Sequence, residues 1–261
     1  MYANDKKIKL GLALGSGGAQ GMAHIGAIKA FEEEGLNFDL VAGCSIGSIV
    51  GALYAKGYSS DDMLCLLKES GFSNSEFPLS FMLGAFNLTD FLDCFLGGAH
   101  FSDLKKPFKA VAVDVDRGKE VTFSSGSLAI ALSASSAIPP FKPVVYGGKR
   151  LVDGAFLNYV PADLVREMGA DFVLSINLGK GKDTNQAIKR ALDETYPKNA
   201  IPLAVRSKKC YEFSDFVIEP NLSAYGSATS RGLYERYEIG YETAKSNMKR
   251  IRELIKTKTK Y

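Results

Sequence analysis

Apolar residues fall into short, nearly continuous runs that alternate with stretches of helical spacing. Residues 8–14 predict a buried strand, closed by a glycine-rich turn over 15–21. Helical spacing follows over 22–34, with Gly35 as the stop. A second short strand is expected at 40–43, then a small-residue helix over 46–56 that ends at Gly57. Ser59 or Ser60 can cap the next helix, whose first turn carries Asp61 and Asp62. Further strands are expected at 109–115, 120–123, 144–146, 150–152 and 171–178, with hairpin turns at 116–119 and 147–148. Helices are expected over 128–137, from Pro161 to near Gly169, over 187–194 and over 232–255. Strands alternating with helices imply an α/β fold, with a mainly parallel central sheet covered on both faces.

Residues 72–101 break this rhythm. Phe72, Phe77, Phe81, Phe86, Phe91, Phe95 and Phe101 are mixed with Gly, Ser and Asn at poor periodicity. Ordinary core packing is one reading, and an apolar lid segment is the other.

The 261 residues show no break in composition, which favours a single domain over 1–261 with its core motifs in 8–178. A net charge of +3 excludes a general polyanion binder, so no nucleic-acid partner is expected. The charge is uneven, however. The helix end and tail over 245–261 carry Lys245, Lys249, Arg250, Arg252, Lys256, Lys258 and Lys260 against Glu253. A solvated helix face explains this cluster; so does peripheral contact with an anionic membrane surface, at roughly 1 kcal/mol per basic residue. Cys44, Cys65, Cys94 and Cys210 form no C-x-x-C pair and no ligand cluster with histidine, so no metal is expected and the thiols read as reduced. The polar start and the glycine-broken run after it resemble neither a signal peptide nor a membrane span. The expected setting is cytoplasmic, with any lipid met from the water side.

The strongest chemical signal is Gly43-Cys44-Ser45-Ile46-Gly47, a G-x-S-x-G motif between an expected strand and an expected helix. A sharp turn there pushes a serine hydroxyl out of the sheet, as a nucleophile requires. The second signal is the loop from Gly15 to Gly21, just before a helix. Its backbone N–H groups and the positive helix end suit an anion, such as the oxyanion of an acyl transfer. Dinucleotide binding fits the loop less well: Gln20 stands where a glycine is wanted, and no acid ends the second strand. A phosphate loop of the Walker type fails because no Lys-Ser/Thr follows the glycines.

The base is less obvious. The two histidines, His24 and His100, follow no late aspartate, which excludes a triad in the α/β-hydrolase order. His24 suits packing or capping, one turn into its helix. Asp153 ends a short strand and precedes Gly154-Ala155, so its carboxylate can stand at the sheet edge. On the residues alone this reads first as an ordinary Asp-Gly turn. Asp114, at another strand end, is the runner-up.

Taken together, the glycine loop with Ala23-His24-Ile25-Gly26, the G-x-S-x-G elbow, the stretch over 133–141 with Ile138-Pro139, and Asp153-Gly154-Ala155 resemble the patatin-like phospholipase family in its compact bacterial form. The motifs stand in the family's order, and the resemblance covers nearly the whole chain. It implies a three-layer α/β/α sandwich similar to that of malonyl-CoA transacylases, and a serine hydrolase that cleaves lipid esters without a cofactor. Ser45 and Asp153 take the places of a catalytic dyad. Gly17, Gly18 and Ala19 fall in the oxyanion loop, with Gly15, Gly21, Gly43, Gly47 and Gly154 as supporting glycines. Gln20 departs from the pattern, since the family usually has arginine there. An acyl thioesterase or acyltransferase is the alternative enzyme, and a weakly active regulatory lipid-binding module is the non-enzymatic reading.

Overall fold

A central mixed sheet with helices on both faces holds the chain together. The computed structural model describes residues 8–69, 88–138, 141–179, 208–227 and 231–259. Its strands are β1 (Leu10–Leu14), β2 (Leu40–Cys44), β3 (Phe108–Asp114), β4 (Lys119–Phe123), β5 (Val144–Tyr146), β6 (Lys149–Asp153), β7 (Phe172–Ile176) and β8 (Phe216–Ile218). The helices are α1 (Met22–Glu33), α2 (Ile46–Lys56), α3 (Ser60–Glu69), α4 (Leu88–Leu96), α5 (Leu128–Ser136), α6 (Ala162–Glu167), α7 (Lys208–Phe213) and α8 (Leu233–Lys258).

The sheet order is β5-β6-β3-β2-β1-β7-β8, with β4 also paired to β3. The centre from β3 to β8 is parallel, whereas β4, β5 and β6 pair antiparallel. The sheet is therefore parallel at its centre and mixed at one side, because two hairpins rather than helices follow β3 and β5. Pleat alternation sorts the core. Leu12, Leu14, Val41, Ala110 and Leu174 pack with Ile28, Leu53 and Leu132 of the larger helical layer. Ala13, Ala42, Cys44, Val111 and Val173 face Val165 and Cys210 on the other side. Strands buried on both faces explain the continuous apolar runs in the sequence.

One register matters for the site. β4 pairs along the whole of Ala110–Asp114, occupying one edge of β3. The other edge is shared: β2 ends with Cys44 opposite Val111, and β6 begins its pairing with Asp153 opposite Ala112. The ends of β2 and β6 thus meet at consecutive positions of one strand.

Several expected elements differ in the structure. Residues 88–96, read as part of a poorly periodic segment, form α4 with Leu92 and Leu96 in the core and Phe91 stacked on Phe95. The rest of the lid reading, over 72–87, and the helix expected over 187–194 lie outside the described residues. β8 and α7 were not anticipated, since strands and helices this short carry little periodicity. At the basic end, Lys245 pairs with Glu33, Arg252 with Glu34, Arg250 with Glu253 and Lys258 with Asp215. Much of that charge therefore ties α8 to the fold. Among the described residues no helix is long and apolar enough to cross a membrane.

Candidate active site

Ser45 sits between β2 and α2 with φ 54° and ψ −126°. It is the non-glycine residue with positive φ among those described. Such a conformation costs on the order of 1–3 kcal/mol and persists only when its surroundings enforce it. Here the neighbouring glycines permit the turn. A Cβ on Gly43 would lie 2.2 Å from the Gly47 carbonyl oxygen, and one on Gly47 would lie 2.2 Å from that of Leu14. The Ser45 carbonyl accepts from Ser48 N–H at 2.8 Å and from Ser48 Oγ at 2.6 Å. Its own N–H donates to Ser135 Oγ of α5 at 2.9 Å. The turn is thereby fixed from three sides.

Asp153 ends β6 and is buried, as is Ser45. The Ser45 side chain lies close enough to the Asp153 carboxylate to lower its pKa as a neighbouring donor. Asp153 Oδ1 also accepts from Ala155 N–H at 2.8 Å and from the Cys44 thiol at 3.7 Å. Burial pushes the Asp153 carboxyl up from its ordinary value to about 6, and these three donors oppose the rise. A Cβ on Gly154 would lie 2.4 Å from Val111 O, so the chain turns hard against β3.

The glycine loop approaches from β1. Gly15 donates its N–H to Ile176 O, and Ser16 donates to Tyr159 O, both at 3.0 Å. Ala19 N–H donates to Ser227 O at 2.8 Å. Sequence reasoning placed Ala19 with Gly17 and Gly18 as oxyanion donors; that bond engages the Ala19 N–H elsewhere. Among the described residues the N–H groups of Gly17 and Gly18 have no backbone acceptor. Gly18 has φ 56°, which favours glycine, and a Cβ there would lie 2.5 Å from Ser227 O. Gly21 packs against Ile46, joining the loop to the elbow.

The other titratable candidates have different duties. His24 is fully buried, its Nε2–H donating to Gly15 O at 2.7 Å, so the ring braces the glycine loop. Burial lowers its pKa to about 4, against the opposing effect of that bond. His100 starts the turn at 101–103, its N–H donating to Asp103. Asp114 accepts from Arg117 Nη1 at 2.7 Å and from the N–H groups of Asp116 and Arg117. Burial pushes its carboxyl up, yet these bonds hold it below the ordinary range. Among the described residues no group of three His, Cys, Asp or Glu is arranged to hold a metal ion. A cleft of about 260 Å³ lies nearby between β4 and the β5–β6 hairpin, lined by Phe123, Tyr146, Lys149 and Leu151 among others, but neither Ser45 nor Asp153 lines it.

Three contributors escaped the sequence reading. Cys44 registers in the sequence only as a scattered thiol and a variable position of the G-x-S-x-G motif, Ser135 only as part of a motif stretch, and Arg236 only by falling within the helix expected over 232–255. The Arg236 guanidinium is fully buried and donates to Ala19 O at 3.3 Å and Gly226 O at 3.1 Å. Only the paired register of distant segments reveals these roles.

A family model described as patatin-like phospholipase matches residues 12–166. Patatin-like phospholipase domain-containing protein 6 of Homo sapiens is 33% identical over 190 residues, covering 67% of this chain and 14% of that protein. An uncharacterized NTE family protein of Mycobacterium bovis is 34% identical over 182 residues, covering 65% of this chain and 49% of that protein. The chain thus spans less than half the length of these curated relatives. Among solved structures, human GIVD cytosolic phospholipase A2 aligns with a TM-score of 0.58 at 12% identity, over 99% of this chain and 61% of that one. VipD from Legionella pneumophila aligns with a TM-score of 0.55 at 16% identity, over 96% of this chain and 67% of that one. These likenesses are of fold.

Proposed function

The chain belongs to the patatin-like phospholipase family, and from that premise we propose that it hydrolyses the carboxylic esters of phospholipids or lysophospholipids with Ser45 as nucleophile and Asp153 as base. The observation that carries this reading is the buried Asp153 carboxylate set beside Ser45, which stands at a strained strand-to-helix turn and lowers that carboxyl's pKa as a neighbouring donor.

Ser45 Oγ attacks the ester carbonyl while Asp153 accepts its proton. The carbonyl oxygen becomes an oxyanion, held by the N–H groups of Gly17 and Gly18. The positive N-terminal end of α2, which begins at Ile46, adds to that field. Collapse of the tetrahedral intermediate breaks the ester C–O bond, and the proton on Asp153 passes to the leaving alkoxide. Water then attacks the acyl-enzyme, giving its proton to Asp153; as the acyl C–Oγ bond breaks, Asp153 returns that proton to Ser45 Oγ, which releases the fatty acid and restores both residues. A carboxyl pKa near 6 suits both directions of transfer close to neutral pH. The route uses no cofactor.

The same proposal has the protein meet its lipid as a peripheral visitor to an anionic membrane surface, from the cytoplasm. Free thiols at Cys44, Cys65, Cys94 and Cys210 support a reducing compartment. For the surface contact, Lys249 and Lys256 remain, among the described residues, outside the ion pairs that engage their neighbours. A single domain is the organisation proposed for the chain.

Turnover of a phospholipid, an acyl-CoA and a short activated ester, each with Ser45→Ala as control, tests the proposal. Hydrolysis of phospholipid and short ester, lost in the variant, is expected. Acyl-CoA as the preferred substrate would make the chain a thioesterase or acyltransferase. No turnover of any substrate would leave a lipid-binding module.

A further inference from the structure

Among the described residues Arg236 is the largest of the fully buried side chains, in the first turn of α8 and beyond the residues matched by the family model. A buried guanidinium is costly to desolvate, and an apolar side chain of similar size would fill the space more cheaply. What it touches is specific. The planar fork spans two carbonyls, Ala19 O in the glycine loop and Gly226 O in the segment opposite. Between these the Ala19 N–H donates to Ser227 O, and Gln20 Nε2 donates to Tyr225 O at 3.1 Å. The guanidinium also lies over the Tyr225 ring, 5.3 Å from its centre. Residues 225–227 are thus bound to residues 19–20 by a compact lattice with Arg236 at its middle.

The placement of α8 leaves the clamp little freedom. A Cβ on Gly26 would lie 2.0 Å from Tyr237 O, and one on Gly240 would lie 2.1 Å from Ala23 O. The backbones of α1 and α8 therefore touch, and α1 begins where the glycine loop ends. Both sides of Ala19 are pinned, its N–H by Ser227 and its carbonyl by Arg236. The two N–H groups just before it, those of Gly17 and Gly18, take their direction from that anchored residue.

We propose that Arg236 is a positioning residue for the oxyanion loop, acting through the Ala19 carbonyl to aim the N–H groups of Gly17 and Gly18 at the reacting carbonyl. The inference rests on the proposed esterase reading. It does not place Arg236 in contact with substrate.

The test uses the full chain and a short activated ester. Arg236→Met keeps the stem and removes the fork. It should stay folded and lose kcat on the order of 10²-fold, the scale set by an ångström of misalignment, with KM nearly unchanged. Arg236→Lys keeps the charge but cannot span both carbonyls in the same plane, and should also lose kcat. In Arg236→Ala, millimolar ethylguanidinium should restore part of kcat, whereas ethylammonium at equal ionic strength should not. A folded Arg236→Met with wild-type kcat overturns the inference. If that variant fails to fold, Arg236→Lys decides: wild-type kcat there overturns it, and lowered kcat at constant KM supports it. An inactive wild-type protein would instead remove the esterase reading itself, as would full activity in Ser45→Ala.

Discussion

The Cys44 thiol donates to Oδ1 of Asp153 across 3.7 Å, although the two residues are 109 positions apart in sequence. The contact follows from β3, whose shared edge sets Cys44 and Asp153 opposite consecutive residues. It makes the residue before the nucleophile a partner of the base.

A pH consequence follows. Burial lifts Asp153 to about 6, and the donors from Ser45, Ala155 and Cys44 hold it from rising further. Tyr159 nearby is kept protonated by burial and adds no charge in this range. For the free enzyme, kcat/KM should therefore rise with pH through about 6 and then level. Cys44→Ala removes one donor to the ionised form, so its midpoint should move upward while the plateau is largely kept. A pH profile of ester turnover for both proteins checks this; an unmoved midpoint contradicts it.

Asp153→Asn should separate activity from stability. The folded carboxyl titrates near 6, above its ordinary 3.8, so the fold binds this proton more tightly than the unfolded chain does. Its favourable contribution is present below the ordinary value and is lost as pH rises through about 6. At pH 8 the ionised group is a burden of up to about 3 kcal/mol, at 1.36 kcal/mol per pKa unit. Asp153→Asn should lose about 10²–10⁴ in turnover and melt no lower than the wild type at pH 8. Asp114→Asn should do the reverse. It loses the charge-assisted bond from Arg117 Nη1 to Oδ2, lowering stability by about 1–3 kcal/mol with little change in turnover per folded molecule. Thermal melts beside ester assays distinguish the two; a folded Asp153→Asn with near wild-type turnover contradicts the assignment.

Gly18→Ala should damage the rate more than the binding. The added Cβ would lie 2.5 Å from a backbone carbonyl, in a left-handed conformation. The loop must shift, and with it the Gly18 N–H. A fall of about 10²–10³ in kcat, the scale of a lost oxyanion donor, with KM little changed is the expected result. Unchanged kcat in a folded variant would move the oxyanion hole to another part of the chain.

His24 should remain neutral until about pH 4, with its proton on Nε2. Below pH 6.5 the unfolded chain binds a proton that the folded chain does not, so stability should fall as pH drops from 6.5 towards 4. Imidazole ¹⁵N shifts follow the ring directly. Titration with a midpoint near 6.5 would contradict its burial against Gly15.

The local parts of this site were legible in the residues. Gly43, Ser45 and Gly47 announce a sharp turn wherever they fall between a strand and a helix, and Gly57 marks the end of α2 by its left-handed conformation. The helix 46–56 was bounded correctly for that reason. Asp153 was different. As sequence it is an Asp-Gly turn, and its meaning depends on an antiparallel β6 sharing an edge with β2. Arg236 was harder still, because a basic residue on a long polar helix looks solvated until α1 and α8 are seen to touch through Gly26 and Gly240. The glycine loop itself was readable, but the capture of Ala19 N–H by Ser227 was not, since loop-to-loop bonds over such distances leave no periodic trace.

Activation of the Ser45 nucleophile by Asp153 is open to a covalent test. A fluorophosphonate reacts with an activated serine hydroxyl and stays on it, so mass spectrometry of the digested adduct names the residue. Such activation predicts one adduct, on Ser45, formed at least about 10²-fold more slowly in Asp153→Asn. An adduct on another serine, or Ser45 labelled equally fast without Asp153, would contradict it.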